Sequence, residues 1–379
     1  DGTNNWWSLD VSVILPALTD SGTTIDGTAY DSADGFSVLN PNPGFLGANA
    51  GGGLDVGVDL VALPQVEKPE LEIVGDQAAP TPPQTGFVVR GDQTTVRRVA
   101  LFGFGDHTTA GTDANIRVGP SGGPAYEAIV IEHNVIGAGA DGFVDPGLAT
   151  RTDGDNLFIE DAISGGAGQE NRIRDNLIGF SYSNGIMLAA NTTGWIITGN
   201  EVTAAGLDNG SGGYMDTVAF EGTSSSSHEA TGNLITQTGG PGIDTWRSPG
   251  GHTIENNDLV QNGSGGVETA GLRLFGTGST VEKNVITNNS GPGVIVVGDR
   301  PITPPTWTAA TGNRISQNVF GTNTGIAIDL VESSDVQSVH GQGDGVTLTA
   351  GTDVSTGNIG LDAPVITDAT INAGTTTVT

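Results

Sequence analysis

The chain has 379 residues, 61 of them Gly and none Cys, with 43 acidic against 13 basic side chains and a formal net charge of −30. That charge excludes nucleic acid and anionic membrane surfaces as natural partners, and the absence of Cys excludes disulfides and thiol chemistry. No apolar run reaches the roughly 18 residues that a membrane-spanning helix needs, and apolar residues recurring at strand spacing argue against disorder despite the high Gly content.

Residues 1–84 read as an N-terminal cap with the first coils: DVSVILPALTD and TTIDGTAYD are strands broken by Pro16 and Gly27, and LEIV from Leu71 is another. Trp6 and Trp7 are expected in this cap. The Pro-rich AAPTPPQ, 78–84, leads into regular coils. From 85 to 330 one phrase returns: Asn, two apolar residues in alternation, a Gly-rich break, then Gly followed by an apolar residue and a second short strand. It starts at Asn176, Asn233, Asn257 and Asn284, with looser copies at Asn134, Asn200 and Asn318. The steps between these Asn are 42, 24, 33, 24, 27 and 34 residues, which describes a rung of fixed size with loops inserted at 137–155, 204–216 and 299–311. Residues 331–379 form the third region, whose end, GLDAPVITDATINAGTTTVT, alternates as Thr-rich strand leading toward a further β module or a neighbouring subunit.

A period in the twenties with short strands and Gly, Asn and Thr between them predicts a β solenoid, because a single strand pair this poor in apolar residues buries nothing alone, while stacked coils share one interior. Asn suits a turn because it tolerates left-handed backbone, and its side chain hydrogen-bonds along a stack. On these phrases the chain resembles the right-handed parallel β-helix repeat family. The run LPALTDSGTTIDGTAYD, from Leu15 to Asp31, is similar to the leading segment of large secreted and cell-surface β-helix proteins of bacteria and archaea. The expected fold is all-β: a single-stranded right-handed parallel β-helix with an N-terminal cap and a strand-rich tail. The start at Asp1 fits a processed or excised chain, and the composition fits secretion.

Polysaccharide lyases, epimerases and many glycosidases share the fold that this resemblance implies. A lyase needs a cation and a base, and a glycosidase needs two facing carboxylates. Alternation after each Gly-apolar pair sends Ile243, Thr245, Leu272 and Leu274 inward and Asp244, Trp246, Arg273 and Phe275 outward. The catalytic candidates on this face are Glu160, Asp216, Asp244 and Arg273, with Glu221 as a weaker member. Tyr214, Trp246, Arg247, His252 and Phe275 are the carbohydrate-binding candidates. Ile295, Val297 and Ala327 at the same positions in later coils are chemically silent. Only two Lys occur, Lys68 and Lys283, the second read as a solvated corner. The five His show no ligand spacing; no cofactor is required, and Ca²⁺ held by loop carboxylates such as those in 141–155 is compatible with the charge. Asn191, Asn209, Asn262 and Asn288 open glycosylation sequons. The leading expectation is an extracellular structural or adhesive protein that associates with itself or other surface components, end to end into filaments or a surface layer. The alternative is a polysaccharide-active enzyme or carbohydrate-binding module using the outer face.

Overall fold

A computed structural model describes residues 5–105, 113–119, 123–207, 216–265, 269–297 and 310–331, and the backbone of two further strands, Ala369–Asn372 and Thr375–Val378. Among the described residues all regular structure is β. Three long sheets run side by side: sheet A has ten strands, from Trp7–Val11 to Val319–Gly321; sheet B has nine, from Thr85–Val89 to Ile328–Val331; sheet C has nine, from Thr24–Asp26 to Arg314–Ser316. The chain visits A, B and C in turn, so each strand pairs in parallel with its counterpart one coil away, as Leu177 does with Glu201 and Ile186 with Val218. This is a right-handed parallel β-helix. The two strands of the terminal region pair with each other as an antiparallel hairpin.

Alternation fills the interior. Ile178, Val202, Ile235, Leu259 and Ile286 of sheet A, Leu157, Ile186, Val218, Ile243 and Leu272 of sheet B, and Ile173, Ile197, Ile254 and Val281 of sheet C all belong to one buried core. Each contributes about 1.5–3 kcal/mol by burial.

The corner between sheets C and A carries the Asn ladder. Asn134, Asn176, Asn200, Asn233, Asn257, Asn284 and Asn318 stack in that order. From Asn176 onward, the Oδ1 of each accepts both the backbone N–H and the Nδ2–H of the Asn before it, at 2.9–3.1 Å. Each Nδ2 also donates to a carbonyl of the preceding coil, for example that of Asn233 to Ile197 at 2.9 Å. The left-handed residue at this corner is not the Asn but the one before it: His133, Asp175, Asn256, Lys283 and Gln317 have φ of 53–58°, and Gly199 and Gly232 take the place in the other two coils. The bend falls there because the Asn must remain extended to turn its amide into the stack. A shorter ladder of Asn262, Asn289 and Asn323 lines the corner after sheet A, so Asn262, the acceptor residue of its sequon, is buried.

Residues 7–26 complete the first coil, through the strand Trp7–Val11, a bridge from Leu18 to Val89 and the strand Thr24–Asp26. The chain then leaves the helix. Residues 40–68 run as a strap along the outer face of sheet A before Leu71–Gly75 resumes the coils. Leu46 and Val66 pack on Ala100, Val135 and Leu177, with Trp6 against the same cluster, whereas Trp7 is 57 % exposed. Ala48 N–H donates to Glu201, Gly57 N–H to Asp258 and Val58 N–H to the Lys283 carbonyl. The strap therefore crosses six inter-strand steps of sheet A, about 29 Å at ~4.8 Å each. Lys283, expected as a solvated corner, instead bridges Asp59 of the strap, at 2.9 Å, and Glu255, at 3.0 Å; only the strap's return along the helix brings Asp59 to it.

Candidate functional site on the outer face of sheet B

Strand pairing sets the outward positions of sheet B. Arg117, Phe158, Met187, Ala219, Asp244, Arg273, Ile295 and Asp329 are register neighbours on successive strands. Asp244 pairs with Arg273, whose Nη2 also lies 4.0 Å from Asp216 Oδ1. These three candidates thus meet on one patch, Asp244 and Arg273 at positions given by alternation, and all are nearly inaccessible: Asp244 is 0 %, Arg273 1 % and Asp216 3 % exposed. Glu160 stands further along the face and pairs with Arg117 at 2.9 Å. Arg117 also lies over the Phe158 ring, at 5.4 Å.

Two more carboxyls belong to the patch. Asp155 Oδ1 accepts the backbone N–H and the Nδ2–H of Asn184, each at 2.8 Å; burial nevertheless pushes its carboxyl up to about 6. Glu221 is pushed up to about 7, first by burial and then by the charges of Asp244 and Asp155, with Arg247 and Arg273 pulling the other way. The sequence named Glu221 only weakly, and Asp155 only as a loop carboxylate for Ca²⁺ and not for this face, because neither follows the Gly-apolar pair used to find outward positions. Asp329 was missed for a different reason. Gly325-Ile326 copies the phrase, yet Ile328, not Ile326, pairs with Val294. A shift of two residues preserves alternation and is invisible in the sequence. The position read as Ala327 therefore belongs to Asp329, which is buried opposite Ile295.

The binding candidates divide. Trp246 is partly buried, with the Arg247 guanidinium 3.8 Å above its ring. Phe275 points out of the coil but is 1 % exposed, in an apolar cluster with Ile295, Val297 and Val331; it supports the face rather than offering a platform. Tyr214 lies outside the described residues. His252 is not on this face: it is 1 % exposed inside the helix. It stacks on His228 with ring centroids 5.4 Å apart, and the two continue a polar column beside sheet C. His228 Nδ1 accepts the Trp195 N–H and His252 Nδ1 accepts the His228 N–H, both at 3.2 Å, while the Nε2 atoms reach Ser225 and Ser248 at 3.0 and 2.7 Å. Imidazoles here do the work that Asn does in the ladder. Burial holds both in the neutral form, His252 down to about 3.

Two family descriptions match in sequence: "Right handed beta helix region" over residues 215–359 and "Periplasmic copper-binding protein (NosD)" over 127–271. Both matches agree with the right-handed parallel β-helix repeat seen in the fold. No curated protein matches it in sequence. Among solved structures it is similar in fold to the mannuronan C-5 epimerase A-module of Azotobacter vinelandii, with 12 % identity over 69 % of this chain and 71 % of that one and a TM-score of 0.41. A pectate lyase matches at 10 % identity over 83 % and 78 %, TM-score 0.41. The DFA-IIIase of Arthrobacter chlorophenolicus matches at 15 % over 83 % and 73 %, TM-score 0.38.

Copper does not fit the imidazoles of the matched segment. His228 and His252 each have both ring nitrogens committed to the column, and a copper ion would need one of them stripped of its partner. His133 sits 3.7 Å from Asp175 at the exposed corner. Among the described residues no group of three or more His, Asp or Glu side chains is placed to hold a metal ion; in the loop proposed for Ca²⁺, Asp145 pairs with Arg151.

Proposed function

We propose that the outer face of sheet B processes a neutral polysaccharide by acid–base hydrolysis. The observation that carries this reading is one carboxyl, Glu221, held near neutrality beside the Asp244–Arg273 pair. Glycosidic cleavage needs one carboxyl that is protonated and a second that is ionised, and their environments must drive the two apart. Glu221, the partly exposed member of the patch, donates its proton to the leaving oxygen, and a carboxylate of the buried cluster round Arg273 takes the proton of the attacking water once substrate binding admits that water to it. Trp246 and Arg247, at the partly exposed edge, contact the sugar. With Asp155, Glu160, Asp216, Glu221, Asp244 and Asp329 against Arg117, Arg247 and Arg273, the face is acidic. Neutral glycans suit it better than uronate polymers, whose carboxylates it repels. On this reading the protein works outside the cytoplasm.

The test is reducing-end release from a panel of neutral and uronate polysaccharides. Glu221→Gln is expected to lower kcat by about 100-fold or more with binding retained, and Asp244→Asn to do likewise. Binding of a glycan without release would reduce the site to a carbohydrate-binding surface, and silence on every neutral glycan sinks the reading.

A second reading, a self-associating structural or adhesive protein, is favoured by the two ends. Leu9 in the first coil is 49 % exposed, against 4 % for its register partner Ile73, and Ile328 in the last described coil is 38 % exposed, against 0 % for Val294. End-to-end stacking would cover such residues. Light scattering and negative-stain imaging decide it: a monomer at every concentration, with or without Ca²⁺, removes it.

A further inference from the structure

Where the strap meets the first coils, it encloses a pocket of about 290 Å³ at the corner between sheets C and A, on a different side of the helix from the sheet B face. Two cations line it, Lys68 of the strap and Arg98 of the corner. Arg98 has a left-handed backbone, φ 56°, and its Nη1 donates to Thr28 Oγ1 at 3.1 Å, which aims the guanidinium along the pocket wall. In a chain of net charge −30, many cations elsewhere sit on carboxylates, as Arg97, Arg174 and Arg314 do. Among the described residues neither Lys68 nor Arg98 has a carboxylate within 4.0 Å.

Two of the neighbouring acids are already engaged. Asp26 holds Arg97 through Nε and Nη2, at 2.9 and 2.7 Å, and also accepts from Thr28. Glu70 is buried and accepts the Asn42 N–H; Glu67, the other carboxyl of the lining, is exposed. The opposite wall is apolar, made by Val38 and Leu39, which are 62 % and 44 % exposed.

We propose that this pocket binds a small ligand bearing one carboxylate: the carboxylate lies between Arg98 and Lys68, and the body of the ligand rests on Val38 and Leu39. A guanidinium fork matches a carboxylate in two parallel hydrogen bonds, and an ammonium adds a point charge beside it. The volume admits one monosaccharide-sized unit. A uronic acid and a free aliphatic acid share this chemistry.

The test is titration of the full chain with glucuronate, glucose and propionate, followed by backbone amide shifts and calorimetry. Glucuronate is expected to bind and to shift Val38, Lys68 and Arg98 amides, glucose to do neither, and Lys68→Gln and Arg98→Gln to weaken binding about tenfold or more. Propionate binding as tightly as glucuronate supports the site and identifies a free acid as its ligand; glucuronate alone identifies the sugar acid. Should Arg98→Gln lower the thermal midpoint, Lys68→Gln decides, since among the described residues the Lys68 side chain makes no hydrogen bond that its loss would break. Glucose binding equal to glucuronate, no binding of either acid, or undiminished binding by Lys68→Gln overturns the proposal.

Discussion

The Asn ladder and the outer face of sheet B are built on the same coils and treat polar groups in opposite ways. In the ladder each amide is neutral and, in every coil before the last, fully buried and bonded along the stack, so repetition adds stability at every rung. On sheet B the register brings carboxyls and guanidinium groups together, and two of the carboxyls are held where burial and neighbouring charge make ionisation unfavourable. One column is built for persistence. The other holds its acids away from their preferred state, a pattern common at functional sites and costly to stability.

The largest effect that separates the two regions is expected in acid. His228 and His252 belong to the ladder type, neutral in the folded state and charged in the unfolded chain below about 6.5. The unfolded state then binds more protons, so stability is level above about 6.5 and falls as the pH drops toward 3. With His252 held down to about 3, that residue alone accounts for on the order of 4–5 kcal/mol at pH 3, at ~1.4 kcal/mol per pH unit. His252→Asn is expected to flatten this slope in denaturant melts between pH 3 and 7; an unchanged slope would place the acid sensitivity elsewhere.

Next in size is the ladder itself. Asn233→Ala leaves the Asn200 amide donors and the Ile197 carbonyl without their partner, an expected loss of about 3–4 kcal/mol. It is measured by urea unfolding, and exchange of amides in the adjacent coils should rise most, since neighbours carry the coupling in a solenoid.

The outer face predicts the reverse sign. Asp155 has its folded value raised to about 6. The native state therefore binds the extra proton, and the stability this gives is present in acid and lost as the pH rises through about 6. Asp155→Asn keeps an oxygen for Asn184 and removes the buried charge, so it should stabilise the fold by about 2 kcal/mol at pH 8 and by little at pH 4. A destabilised variant at pH 8 would mean that the ionised carboxylate is well compensated. The smallest effect belongs to the strap. Asp59→Ala breaks a partly exposed ion pair with Lys283 and is expected to leave the urea midpoint almost unchanged, yet to raise amide exchange across residues 45–66 while leaving the coils protected.

Much of the site was within reach of the sequence, and the gaps have definite causes. Asp244 and Arg273 lie on the outer face because outward positions follow from alternation once one inward residue is fixed, whereas Asp216 shares the parity of inward Val218 and reaches Arg273 from the segment before that strand. His252 was placed among them because Arg247 is close in sequence. Five residues are enough for the chain to leave sheet B and turn the imidazole into the interior column. Phe275 did point outward, but outward proved to be buried, and covering by other parts of a chain is not encoded in a strand's own pattern.

What the sequence determined by itself is the repeat. The steps of 42, 24, 33, 24, 27 and 34 residues are the same separations spanned by the ladder hydrogen bonds, because a rung closes on itself and an Asn needs another Asn directly above it. Tertiary structure decided the rest. It set the two-residue register that brings Asp329 to the face, the burial that lifts Asp155 and Glu221, and the return of residues 40–68 along sheet A. Those depend on which surfaces meet, and a pattern of period two is unchanged by the shift that decides it.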